Sequence, residues 1–198
     1  MKKWLVPVLI IGAIILIVYW LFAGVYNTSV EKQEEARKTW ADVESAYQRR
    51  NDLIDNLVST VRGAADFERS TLTDVIEARA KATSVNVDAE NLTEAQIQQF
   101  QQAQGQVSSA LSRLLVTVER YPELKATQNF QQLQSQLEGT ENRINVARNR
   151  YNEQVTDYNK YIRKFPNNIV VGMYGFDRMP PFEADAGAEV APEVEFEF

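Results

Sequence analysis

Apolar side chains open the chain as one unbroken block and then thin into stripes. From Trp4 to Tyr26 no charge interrupts a run rich in Ile, Leu and Val, and Lys2 and Lys3 stand just ahead of it. At ~1.5 Å per residue the run covers about 34 Å, slightly more than the ~30 Å hydrocarbon layer of a bilayer. Trp4 at one end and Tyr19, Trp20 and Tyr26 toward the other are rings of the kind that settle at the two membrane interfaces. Pro7 falls in the first turns, where a missing N–H costs little. The block predicts a retained transmembrane helix. The alternative, a cleaved signal peptide, would have an apolar core of only ~7–15 residues, and Ala23 and Gly24 make a weak cleavage site.

Beyond the block the period becomes helical. From about Asn27 to Ala82, Trp40, Val43, Tyr47, Ile54, Leu57, Val61, Ala64, Leu72 and Val75 recur at spacings of three, four or their sum. No Pro or polar turn cluster intervenes, so the pattern predicts one helix continuing from the span for about 80 Å. Gly63, followed by Ala64 and Ala65, is its one weak point, either a bend or a place where a neighbouring helix comes close. The period fails over Ser84–Asn91, which reads as a loop. A second helix is predicted from Thr93, with Gln96 completing a capping box. Its seam, Ile97, Phe100, Gln104, Val107, Leu111, Leu114, Val118 and Tyr121, alternates threes and fours like a coiled coil and stops at Pro122.

A third helix is predicted from Asn129, with Gln132 as its capping partner, to just before Pro166. Its stripe is Phe130, Leu133, Leu137, Ile144, Tyr151, Val155, Tyr158, Ile162 and Phe165. Beside it runs a column of asparagines, Asn145, Asn152 and Asn159, with Asn142 and Asn149 adjacent. Such a column either bonds its amides between helices and fixes register, or faces water. The predicted fold class is all-α: an N-terminal transmembrane helix (1–26), an antiparallel bundle of three to four long helices (27–166), an extended segment packed on the bundle (167–182), and an acidic tail (183–198).

Composition sharpens this mainly by exclusion. The chain has no His and no Cys, so disulfides, Cys/His zinc sites, catalytic thiols and Ser-His-Asp triads are out of reach. The net charge of −6 belongs to the tail: Glu183, Asp185, Glu189, Glu193, Glu195 and Glu197 account for it. The body is then neutral and has no basic stripe, which argues against a nucleic-acid partner. The last residues, Val194 to Phe198, alternate apolar and acidic; they could add to the edge of a partner's sheet, or form a disordered, solubilising tail.

Several segments together resemble the LemA family. They are Val118-Glu119-Arg120-Tyr121-Pro122-Glu123-Leu124-Lys125, Asn129-Phe130, Leu137-Glu138-Gly139-Thr140-Glu141-Asn142-Arg143-Ile144 and Ala147-Arg148. Further matches include Gln48-Arg49-Arg50, Asn56-Leu57-Val58, Tyr151-Asn152, Tyr158-Asn159, Ile162-Arg163 and Gly175-Phe176. The resemblance implies a bacterial single-pass membrane protein with a soluble helical bundle and no established enzymatic activity. The chain departs from the family pattern at Asp55, where a Pro is common, and near Ala64 and Phe67, where a Tyr and a His are common.

The motif residues offer little chemistry. Glu119, Arg120, Glu123, Glu138, Glu141 and Arg143 gather around the link between the second and third helices, and Glu138 and Glu141 share a helical face. Carboxylate metal sites in bundles pair Glu with a His three residues on, which is lacking here; a hard cation held by oxygens is the remaining metal option. A network of arginine–carboxylate pairs closing the corner outweighs it. Arg50 and Glu68 fall in register with the first stripe and predict partly buried pairing rather than catalysis. Gly139 within a helix points to close approach of another backbone.

No cofactor and no enzymatic activity are therefore expected, the motif residues Arg50, Glu119, Arg120, Glu138, Gly139, Glu141, Asn142 and Arg143 being structural. The expected partners are the lipid bilayer, through residues 4–26, and a membrane or envelope protein, a second copy, or both. The expected location is the bacterial inner membrane with the body outside the cytoplasm, since a long domain translocates largely regardless of charge. A ligand-binding sensory ectodomain is the alternative function. A hydrolase built on paired carboxylates ranks last, having no nucleophile with its base.

Overall fold

The apolar block and the first stripe share one unbroken helix. The computed structural model describes residues 4–63 and 67–183, and α1 runs from Leu5 to Arg62. From Leu5 to Leu21 its large apolar side chains are 45–73% exposed, with no other described element packed over them. Burial begins at Val25 and continues through Ala36, Trp40, Val43, Tyr47, Leu53, Ile54 and Leu57 to Val61, once per turn on one face.

The second half of the first stripe does not continue along that helix. α1 stops at Gly63, and α2, Arg69–Ser84, folds back along it: Arg79 pairs with Asp55 and donates to the Asn51 carbonyl at 3.3 Å. The body of α1 therefore rises about 54 Å past Tyr26 instead of ~80 Å. Val61 and Leu72 lie eleven residues apart, about three turns, so the helical phase is kept across the reversal and periodicity does not reveal it. Burial supplies the reason: Leu72, Val75, Ala78 and Ala82 would face water on a straight rod, and folded back they join the core. α1 continues unbroken through Asp55.

The remaining elements complete an up-down-up-down bundle. α3, Glu94–Val118, begins with the expected capping box: the Gln96 N–H donates to the Thr93 hydroxyl at 3.3 Å, and the Thr93 N–H to the Gln96 side chain at 3.0 Å. It buries Ile97, Phe100, Gln104, Val107, Leu111, Leu114 and Val118, while Tyr121 lies just beyond its end. Pro122 opens a single turn, α4, Pro122–Lys125, whose Leu124 closes the far end of the core. α5, Gln128–Arg163, is capped by Thr127, not Asn129: the Phe130 N–H donates to the Thr127 hydroxyl at 3.4 Å. α1 packs most closely on α5 and α2 on α3, and the two pairs meet through large side chains.

The segment after Pro166 is extended only in its second half. Asn167–Tyr174 forms a short helix, α6, which ends at Gly175 in the left-handed conformation (φ +73°). Phe176 to Glu183 then runs as a strap along α5. Phe165, expected on the α5 stripe, lies beyond that helix and is exposed. The acidic tail from residue 184, with its alternating end, lies outside the described residues.

Two apolar cores result. The distal core joins the ends of α1 and α3 with α2, α4 and the start of α5. The proximal core, nearer the apolar run, joins Trp40, Val43, Phe100, Ile144, Tyr151 and Tyr158 with α6 and the strap.

Candidate functional site

Between the two cores sits a charged layer built on Arg50. Its side chain is 1% exposed, fixed to the buried face of α1 by the same helical phase that buries Tyr47 and Ile54. One guanidinium nitrogen donates to Glu141 Oε1 and to Ser108 Oγ, both at 2.9 Å; the other donates to the Gln104 carbonyl at 3.2 Å and to the Gln104 side chain. The guanidinium carbon lies 4.9 Å from the centre of the Tyr47 ring. Arg50 thus gathers α1, α3 and α5 at one level, and the polar Gln104 in the α3 seam is the residue that meets it there. A buried cation is tolerated only with such partners, so the layer sets one register for three helices.

The other motif residues scatter. Arg120 reaches Glu68 at 2.7 Å, tying the end of α3 to the start of α2, and Glu119 pairs with Lys125 across the α4 turn. Hydrogen bonding from Ser70 and then from Arg120 holds the exposed Glu68 carboxyl below the usual range. Glu138 accepts from Gln134 at 3.2 Å on its own helix while Glu141 turns to Arg50, so the two carboxylates do not converge. Asn142 and Arg143 line an open groove with Arg49 and Arg150. At Gly139 no described atom of another element lies within 4 Å of the place a β-carbon would take, so no backbone approaches it closely. The expected corner network is thus one local pair and one inter-helix pair, and the most deeply buried contact belongs to the Arg50 layer.

The asparagine column divides: Asn145, with Asn142 and Asn149 beside it, faces solvent, while Asn152 and Asn159 take a course that is neither inter-helix bonding nor solvation. Asn152 and Asn159 bond to the strap. Asn159 Nδ2 donates to the Met179 carbonyl at 2.8 Å and its Oδ1 accepts the Met179 N–H at 3.0 Å; Asn152 does the same for Phe182, at 3.0 and 2.8 Å. Each amide thereby replaces one residue of a neighbouring strand. The preceding tyrosines add a second rail: Tyr158 donates to the Asp177 carbonyl at 2.9 Å and Tyr151 to the Pro180 carbonyl at 2.8 Å. Seven helical residues advance ~10.5 Å and three extended residues ~10 Å, so Tyr-Asn repeated every seven matches a strap read every three. Asn142, Asn145 and Asn149 are exposed.

The strap inserts one ring into the core. Phe182 stacks on Trp40 (centroids 5.5 Å apart, planes 16°) and meets Tyr151 edge-on at 5.5 Å. The Arg148 guanidinium covers the outer side of the Phe182 ring at 5.1 Å, and both Arg148 and Gln101 donate to the Glu183 carbonyl. Burial raises the Tyr151 hydroxyl well above its ordinary pKa; burial and then nearby Asp177 push Tyr158 up to about 12. The sequence held a signal for this site, the Tyr-Asn dipeptide repeated at 151–152 and 158–159, with its apolar and polar members assigned to separate patterns.

These features define a class: a four-helix bundle locked by a buried arginine and laced by its own C-terminal strap, with an apolar helix long enough to cross a membrane at one end. The chain belongs to the LemA family, whose profile matches residues 39–196. It is similar to the Protein LemA of Metamycoplasma hominis, with 25% identity over 168 residues that cover 85% of this chain and 73% of that protein. The family match takes in the Arg50 layer and the strap together.

Proposed function

We propose that the protein is a membrane-tethered helical module of bacterial inner membranes that works by contact, with envelope proteins or with further copies of itself, and carries out no reaction of its own. The single observation behind this reading is α1: one helix passes from an apolar stretch, unpartnered among the described residues, into a bundle with two cores. The charged groups best placed for chemistry serve packing instead, Arg50 donating to Glu141 across two helices and the tyrosine hydroxyls holding the strap. The bundle stands outside the cytoplasm in this reading.

Photo-crosslinking from exposed bundle positions in native membranes tests it, run with and without residues 183–198. Discrete crosslinks to a protein neighbour or to a second copy are expected. Their absence, together with a small molecule that shifts the melting temperature, would transfer the function to ligand sensing.

A further inference from the structure

The bundle carries an apolar patch that its cores leave uncovered. On α6 and the turn before it, Phe165, Ile169 and Met173 are 81, 53 and 69% exposed, and Tyr174 beside them is 56% exposed. Ile169 and Met173, four residues apart, share one face of α6, and Phe165 stands in the turn just before it, while the opposite face buries Val170 and Val171 against the proximal core. Grouped exposure of large apolar side chains marks a contact surface.

The position of the patch names what it contacts. α6 packs at the level of Phe22, Val25 and Tyr26 on α1: Tyr174 and Phe176 meet the Tyr26 ring edge-on at 4.9 and 5.6 Å. Tyr26 is the last residue of the apolar block, before the polar Asn27-Thr28-Ser29, so if that block crosses a bilayer its end lies at the interface, and α6 lies beside it. Lys32 is next up α1, its ammonium 5.9 Å from the Tyr161 ring. The turn into α6 exposes Arg163 and Lys164, whose long stems can reach phosphate groups while the apolar stripe sinks below them. A second copy fits the patch poorly: four side chains fall well short of the ~800 Å² per partner of a stable interface.

We propose that α6 is an interfacial helix, lying in the headgroup layer with Phe165, Ile169 and Met173 among the upper acyl chains and Arg163 and Lys164 at the phosphates. This rests on the membrane-tethered reading and deepens it: the bundle is then seated on the bilayer by two elements, and its tilt about the span is restricted.

Because the chain has no cysteine, Met173→Cys, Ile14→Cys and Val116→Cys in the full chain can each carry one environment-sensitive fluorophore. The variants are reconstituted in phosphatidylcholine and phosphatidylglycerol vesicles doped with lipids bearing a nitroxide near the headgroup or near the chain end. The label at 173 should lose several-fold in intensity to the shallow nitroxide and little to the deep one, the label at 14 the reverse, and the label at 116 neither. An unquenched label at 173 beside a quenched one at 14 overturns the interfacial helix and leaves the anchor standing. A disulfide-linked dimer of the unlabelled Met173→Cys chain, with no quenching of its labelled form, assigns the patch to a second copy and also overturns it. No quenching at 14 overturns the membrane reading and this inference with it.

Discussion

At the scale of single residues, the bundle's specificity is concentrated in Arg50. Removing one partner of a buried ion pair costs more than the pair contributes, because the remaining charge is left without compensation. Glu141 is 42% exposed, so water softens its loss: Glu141→Gln should lower stability by about 1–3 kcal/mol. Arg50→Ala, which removes a fully buried side chain and strands Gln104, should cost about 3–5 kcal/mol. Urea unfolding of both variants and of the double variant tests this, and the double should cost clearly less than the two combined. Gly139 gives the opposite sign. It sits in the middle of α5 with open space where a methyl group would stand, so Gly139→Ala should stabilise by about 0.5–1 kcal/mol, read as a higher urea midpoint.

At the scale of elements, the strap decides how well the proximal half holds together. The distal core is closed by α2, but α2 ends at Ser84, and below that level the loop from Val85 and the strap cover α1, α3 and α5 in its place. Phe182→Ala should cost about 3–5 kcal/mol and Asn152→Ala about 1–3 kcal/mol. Hydrogen exchange should rise first along α5 from Tyr151 to Ile162, with α2 and the end of α3 protected as before. Alkali should act in the same place. Tyr151 and Tyr158 hold their protons more tightly folded than unfolded, so their contribution is fully present below the ordinary tyrosine value of 10; that of Tyr158 is lost as pH rises through about 12, and that of Tyr151 at still higher pH. Melting temperature followed upward from pH 10 should fall, and replacing both tyrosines by Phe should flatten that fall. Helix periods made most of the bundle legible in the sequence, because Trp40, Leu114 and Ile144 each recur with a single phase. Two things were not legible. A chain reversal that preserves phase, as between Val61 and Leu72, leaves the period unchanged; and the partner of Asn152 and Asn159 has no period, being an irregular strap whose only signature is the Tyr-Asn repeat on the helix it binds. Arg50 read correctly as paired, but its partner Glu141 is 91 residues away and could be placed only by the fold.

At the scale of the whole molecule, charge and size bear on which way the chain crosses a bilayer. Lys2 and Lys3 flank one end of the apolar run and Lys32, Arg37 and Lys38 the other, so a count of cations favours neither side. Arg37 and Lys38 are paired with Glu34 and Glu35, but acids contribute little to the rule, so pairing does not remove them from the count. The two lysines next to the run and the length of the domain beyond it argue for an N-terminus in the cytoplasm, as the proposed function has it. Ser45 is exposed on the body of α1, and Ser45→Cys would give the chain its one thiol. An impermeant maleimide should label it in intact cells, and labelling only after lysis would put the bundle inside. Converting Lys2 and Lys3 to Glu should lower the labelled fraction if those two charges hold the N-terminus in. Unchanged labelling would instead make the bundle's own passage across the membrane the deciding factor.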